Sequence, residues 1–343
     1  MKEGMLNTIK GKLERLIKSP NKIEQKKELH LKCVSDTKAN EKHPKRNGDS
    51  FLVNEQERAA AVFDGLSEPY GDEIASRTCK QYASDNLPRI KNGMSVREAL
   101  NILKKIFIEA DEVVAQSEEL AEEREFLQSM GEIRGHNKPG TTATLFKIHT
   151  DSDGENWGLV ATVGNSRLYK IEEKGNLTQI TEDDDYLVMM YPDENERARV
   201  SRKISNVKQV KELDANEQLF LKEKSHVLTM TIGGKDADPS VHNFKIKKGD
   251  RFLLLTDGIH SNLTTDEIEQ IIKESKTIEE AKKKLMEKAL LHSRPGSGGG
   301  IRTHPDDMTV VIVEVEAKNP ETAKEAEEKR VENIREKLRQ ALG

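Results

Sequence analysis

Two textures alternate along the chain. Short apolar runs bounded by polar turns mark strands, and longer stretches with apolar residues three or four apart mark helices. SFLV and AAAVFD, separated by NEQER, predict a β-hairpin starting at Ser50. Helices are predicted over 71–89 and 95–128. In the second, Val96, Ala99, Leu100, Leu103, Ile106, Phe107, Ala110 and Val114 repeat with a helical period, and SEELAEEREFLQ forms a solvated end. Strands return at TTATLFKI, WGLVATVG and SRLYKIEE, the first two divided by the polar turn HTDSDGEN. They resume near HVLTM, at RFLLLTD and at MTVVIVEVE. Before the last come the helices TTDEIEQIIKES, with Thr264 or Thr265 as N-cap, and TIEEAKKKLMEKALLH, then the flexible loop SRPGSGGGIRTHPDD. Strand runs separated by helix pairs, without strict βαβ alternation, predict an α+β sandwich.

Three segments depart from this pattern. Residues 183–225 are charged and aperiodic and read as an irregular flap inserted into the domain. The start, MKEGMLNTIKGKLERLIK, is basic and amphipathic and predicts a surface or docking helix, with a polar linker over 18–29. Residues 317–343 predict a charged C-terminal helix. The domain itself is expected over 30–316.

Composition narrows the function. The 343 residues carry 56 Lys+Arg against 61 Asp+Glu, a net charge of −5, which argues against nucleic-acid binding. Cys33 and Cys79 form no CxxC pair and suit a reducing, cytoplasmic setting. No apolar run reaches the roughly 18 residues of a transmembrane span, no signal peptide is evident, and no GxxxxGK[ST] phosphate loop occurs.

The candidate chemistry lies in aspartates at strand ends. Asp49 stands beside the start of one strand, Asp64 and Asp257 end two others as Asp-Gly, and Asp306 and Asp307 precede the last. A single Asp-Gly is an ordinary turn. Several at the rim of a buried sheet would repel one another and call for a cation, and oxygen-only ligands select Mg²⁺ or Mn²⁺. The glycine after each Asp would let the backbone approach a ligand. Other phosphatase chemistries fail. Neither Cys33 nor Cys79 has Arg six residues on, and neither Asp64 nor Asp257 has Asp two residues on. His43, His260 and His304 read as surface or loop histidines, and Glu182 to Asp185 as a solvated acidic loop.

The ordered series GDSFLV, AVFDG, GTTATL, TVGNSRLY, LTMTIGG, GDRFLLLTDGI and DDMTVV resembles the motifs of the PPM family, the protein phosphatase 2C-like metal-dependent serine/threonine phosphatases. The resemblance spans about residues 30–316. It implies a central antiparallel β-sandwich with helices on both faces and a centre of two Mg²⁺ or Mn²⁺ ions at one end. Asp64 would bridge the metals and Gly65 would offer its carbonyl. Asp257 and Asp306 would complete one shell, Asp307 filling a variable polar position, and Asp49 would act through coordinated water. A hydroxide bridging the ions would attack phosphorus in line, with no phosphoenzyme. Leu66 stands where the family often has a histidine, and Asn165 and Ser261 replace acids tied to a third metal, which is not expected here. Pro44 replaces a phosphate-binding arginine, leaving Lys45 and Arg46 as nearby substitutes. The implied function is hydrolysis of phosphoserine and phosphothreonine in a phosphorylated protein substrate by a monomer. A pseudophosphatase that binds a phosphorylated partner without turnover is the alternative. A third reading keeps the fold with one narrow regulatory substrate, such as a phosphorylated anti-sigma-antagonist protein. The flap, with Arg197, Arg199 and Arg202, would read charge around the phosphosite.

Overall fold

A computed structural model describes residues 28–66, 70–130, 139–297 and 300–317, and its compact unit runs from Leu29 to Glu316. The helices expected over 1–17 and 317–343 lie outside the described residues, apart from Ala317.

The predicted hairpin is present as β2 (Ser50–Asn54) and β3 (Ala59–Phe63), preceded by β1 (Leu29–Lys38) and followed by the short β4 (Gly65–Leu66). The first helical stretch is α1 (Asp72–Asn86). The second divides into α2 (Val96–Ala115) and α3 (Glu118–Ser129), because the Ser117 side chain accepts the Leu120 amide and starts a new helix. Then come β5 (Gly140–Thr141), β6 (Ala143–Thr150), β7 (Asn156–Val163), β8 (Arg167–Ile171) and β9 (Leu177–Gln179). Two five-stranded sheets result, β1-β12-β11-β8-β9 and β10-β7-β6-β3-β2, beside the two-stranded ribbon β4-β5. Their later strands are β10 (Ser240–Lys245), β11 (Arg251–Leu255) and β12 (Met308–Ala317). The registered pairs are antiparallel, for example Leu255 with Val310 and Ser50 with Phe63.

Alternation along each strand explains the layers. Ala60, Val62, Phe146 and Ile148 of one sheet meet Leu168, Phe252, Leu254, Val311 and Val313 of the other, forming the sandwich interior. The alternate residues Ala59, Ala61, Phe63 and Leu145 face α1 and α2 through Ala75, Cys79, Leu103 and Phe107. On the other side, Leu253, Leu255, Val310 and Ile312 meet α8 (Thr265–Glu274) and α9 (Ile278–His292). The architecture is the expected α/β/β/α. Because helices cover both outer faces, FLLL and VVIV are apolar at every position. Thr264, not Thr265, is the N-cap of α8, in a reciprocal capping box with Glu267.

Residues 183–225 correct the reading of an irregular flap. They fold as α4 (Leu187–Met190), α5 (Glu194–Asn206) and α6 (Ala215–Leu219), with short turns between. Leu187, Val200, Ile204, Val207, Leu213 and Phe220 form a small core of their own, packed by Ile301. Asp193 and Asp214 cap α5 and α6. HVLTM is also corrected: it forms no strand, only an isolated bridge from Leu228 to Asp185. The edge strand β10 lies further on, where its largely exposed, lysine-bearing pattern conceals it in the sequence. Arg302 ties the flap to the strand-end loops. Its buried guanidinium donates to the carbonyls of Ile204 (2.9 Å), Ser205 (3.2 Å), His260 (3.1 Å) and Leu263 (3.3 Å).

Phe252 is fully buried at the sandwich centre, its ring 4.4 Å from that of Phe146 and 5.5 Å from that of Phe244. Phe252→Ala should cost about 3–5 kcal/mol in urea unfolding. Phe126→Ala, at a residue 63% exposed, should change stability by less than about 0.5 kcal/mol.

Candidate metal centre

The hairpin register sets the first two carboxylates side by side. Ser50 pairs with Phe63, so Asp49 before β2 and Asp64 after β3 leave the sheet at the same end. The second sheet repeats the device. Leu255 pairs with Val310, which brings Asp257, the first residue of α7 (Asp257–His260), beside Asp306 and Asp307 ahead of β12. Thr256 joins the two sheets: its hydroxyl donates to Asp49 Oδ2 (2.8 Å) and accepts the Thr309 amide (2.9 Å).

Both Asp-Gly pairs owe their glycine to close packing against the protein's own backbone. A Cβ on Gly65 would lie 2.2 Å from the Asp72 carbonyl oxygen and 2.6 Å from that of Gly48. One on Gly258 would lie 1.8 Å from the Asp307 oxygen. The main chain of Asp64 is fixed by three bonds. Its carbonyl accepts the Thr142 amide (2.8 Å) and the Thr141 hydroxyl (3.0 Å), and its amide donates to Thr142 Oγ1 (3.1 Å).

The cluster is electrostatically frustrated. Asp49 and Asp64 are buried, and burial lifts both carboxyls well above their usual range. For Asp64, the charges of Asp257, Asp49 and Asp306 add to the rise. Asp257 is raised by burial and then by Asp306. Its Oδ2 accepts from the Asn165 amide at 3.2 Å, its buried Oδ1 receives no N–H or hydroxyl donor among the described residues, and its carboxyl is close enough to that of Asp64 to share a proton. His304 Nε2 lies 3.0 Å from Asp306 Oδ2, and that hydrogen bond pushes the imidazole up to about 9. Asp257, His304 and Asp306 present potential ligand atoms within 4.8 Å of one another. Oxygen donors that repel one another and include a buried atom with no N–H or hydroxyl donor fit hard divalent cations.

Asp306 and Asp307 play different parts. Asp307 gives both oxygens to backbone amides, those of Asn40 and Gly48, each at 2.6 Å. It anchors the loop between β1 and β2, which carries Lys45, Arg46 and Asp49. Lys45 is exposed, and Arg46 lies 3.4 Å from Asp72 Oδ2. Leu66 faces Gly140 in the β4–β5 ribbon. Ser261 lines a cavity of about 180 Å³ together with Asp257, His304 and, from the flap, Phe220 and Leu221.

Two sequence readings change. His260 is buried, with Nε2 3.1 Å from the Asn165 carbonyl, and burial pulls its imidazole well below the usual range. His304 joins the acidic cluster; its HPDD context shows only a loop. The acidic run is an anchor more than a solvated loop. Arg167 forks onto Asp183 at 2.7–3.0 Å, Asp184 accepts the Gly164 amide (2.9 Å), and the Leu187 amide donates to Asp185 (2.8 Å). Thr256 and Thr309 do not stand out in the sequence; the only signal is a threonine directly after one apolar strand and one near the start of the other.

Known proteins share this fold. A protein-family model described as Stage II sporulation protein E (SpoIIE) matches residues 188–316. The serine/threonine protein phosphatase PstP of Mycobacterium tuberculosis is 22% identical over 247 residues, which cover 68% of this chain and 41% of that protein. The chain thus corresponds to less than half the length of this curated relative. The crystal structure of the PstP catalytic domain in complex with two manganese ions matches with a TM-score of 0.57 at 21% identity, over 84% of this chain and 100% of that one. Serine/threonine phosphatase Stp1 of Staphylococcus aureus matches with a TM-score of 0.58 at 19% identity, over 83% and 95%. At these identities the solved structures establish the fold, and the sequence relative is in keeping with the ordered motifs. The chain thus has the fold of the PPM phosphatases and resembles them in sequence.

Proposed function

We propose that this protein is a metal-dependent phosphatase acting on phosphoserine and phosphothreonine in a phosphorylated protein substrate. The observation that supports this most is the convergence of Asp64, Asp257 and Asp306, from both sheets, at one end of a PPM sandwich. Asp64, the Gly65 carbonyl, Asp257 and Asp306 would hold two Mg²⁺ or Mn²⁺ ions. Asp49, held by Thr256, would orient water around them. Bound there, the ions would supply a lowered water pKa and positive charge for the phosphoryl oxygens. Lys45 and Arg46 stand on the adjoining loop, where a phosphate ester would meet positive charge. Leu66 carries no proton for the leaving group. All three strand-end ligands are present, so turnover is favoured over a pseudophosphatase. A cytoplasmic setting and a monomer complete the reading, and no described helix is long and apolar enough to cross a membrane.

Hydrolysis of a small aryl phosphate should vanish with chelator and return with Mn²⁺ or Mg²⁺. Full activity after exhaustive metal removal would exclude the mechanism. Asp64→Asn, Asp257→Asn and Asp306→Asn should each lower kcat by several orders of magnitude. Asp307→Asn should act mainly on stability, because its carboxylate holds two backbone amides.

Asp64 also carries a pH signature. Its carboxyl is raised in the folded state, so the unfolded chain ionises first and ionising the folded form costs stability. That cost is complete above the folded pKa and absent below the ordinary range near about 4. In chelator, Asp64→Asn should therefore raise the Tm at about pH 8, with the gain shrinking toward about pH 4. Calorimetry across that range checks this.

Specificity would come from the flap, since metals read only the phosphoryl group. Arg197 is largely buried and donates to the Tyr191 carbonyl, which makes it a support. Arg199 is exposed, and Arg202 lines a cavity of about 390 Å³. Arg199→Ala with Arg202→Ala should spare the aryl phosphate and separate phosphopeptides by flanking charge. An equal fall on all substrates would refute selection by the flap.

A further inference from the structure

The LTMTIGG segment has a place in the motif series but contributes no side chain to the acidic cluster. Its surroundings show what it holds. Asp111, on α2, is buried, and its carboxylate collects three backbone amides from this segment and its continuation. Gly233 and Lys235 donate to Oδ1 at 2.6 and 3.0 Å, and Ala237 donates to Oδ2 at 3.1 Å. The backbone there needs such a clamp. Gly233 has φ +106° and Lys235 has φ +79°, the latter a left-handed conformation in a residue with a Cβ. Space is tight as well: a Cβ on Gly233 would lie 2.8 Å from the Pro139 carbonyl oxygen and 2.9 Å from Val114.

The clamped segment is in turn bonded to the strand that fixes Asp64. Ile232 and Thr141 exchange both backbone hydrogen bonds, each 2.9 Å. Thr141 and its neighbour Thr142 make the three bonds that hold the Asp64 main chain. The path Asp111, Gly233, Ile232, Thr141, Asp64 is continuous, and every step is a short hydrogen bond or a peptide link. We infer that Asp111 is a positioning residue for the metal centre, setting the placement of Asp64 through the Ile232–Gly233 backbone. This rests on the proposed metal site. Asp111 lies on a helix that packs on the outer face of the sheet, and it acts only through the protein backbone.

The test is direct Mn²⁺ binding by titration calorimetry, at a temperature where each variant is folded. Asp111→Ala leaves three amides without their acceptor and should weaken Mn²⁺ binding by about tenfold or more, as loss of a supporting group commonly does. Its kcat on an aryl phosphate should fall with little change in KM. Asp111→Asn retains one acceptor oxygen and should recover part of both. Gly233→Ala strains the same segment from the other side and should give the same pattern, so the inference stays testable if Asp111→Ala does not fold. Combining Asp111→Asn with Thr141→Val should cost less than the sum of the single changes, because both act on one path. A lowered Tm with wild-type Mn²⁺ affinity in Asp111→Asn and Gly233→Ala would overturn the inference, as would strict additivity with Thr141→Val. Absence of Mn²⁺ binding in the wild-type protein would overturn the metal reading itself, and this inference with it.

Discussion

Mutual repulsion among carboxylates gathered at one end of the sandwich is the constraint around which the rest is arranged. Asp49 and Asp64 are buried where ionisation is disfavoured, and Asp257 and Asp306 add charge of the same sign nearby. Such a group stays together only if the surrounding chain cannot give way. Antiparallel pairing supplies that stiffness. Each aspartate is within two residues of a strand, and the strands are held on both faces by apolar layers.

Close backbone packing adds a second kind of stiffness. Gly65 and Gly258 let neighbouring segments approach until a side chain on either would collide with a peptide. Around them polar groups are spent on orientation. Thr256 links Asp49 to the opposite sheet, Asp307 gives both oxygens to the loop that carries Asp49, and Asn165 holds Asp257. Position and charge are thus handled by different residues.

Much of this was legible in the sequence because the strands are continuously apolar and end in acidic residues. The hairpin, the helix pairs and the sandwich follow from periodicity, and the strand-end aspartates do meet in space. The edge strand β10 was hidden: none of its residues is fully buried and it carries serine, histidine, asparagine and lysine, so it resembles a loop. The flap was hidden for another reason. Its few apolar residues are divided among short helices whose contacts are mostly with one another, so no single window shows a period, although Asp193 and Asp214 mark the helix starts. His304 could not be assigned from HPDD, because only the fold shows that its ring turns back to Asp306.

The anchoring of the flap by Arg302 has its own consequence. This cation is held by four carbonyl oxygens near the ends of α5 and α7 rather than by a carboxylate. Carbonyls do not titrate, and helix C-termini present them with partial negative charge. Acid therefore cannot discharge the acceptors, and burial limits screening by dissolved ions. The Arg302 contact is consequently indifferent to acidification and ionic strength, in contrast to the titratable carboxylate anchors of Asp183, Asp184 and Asp185 at the start of the flap.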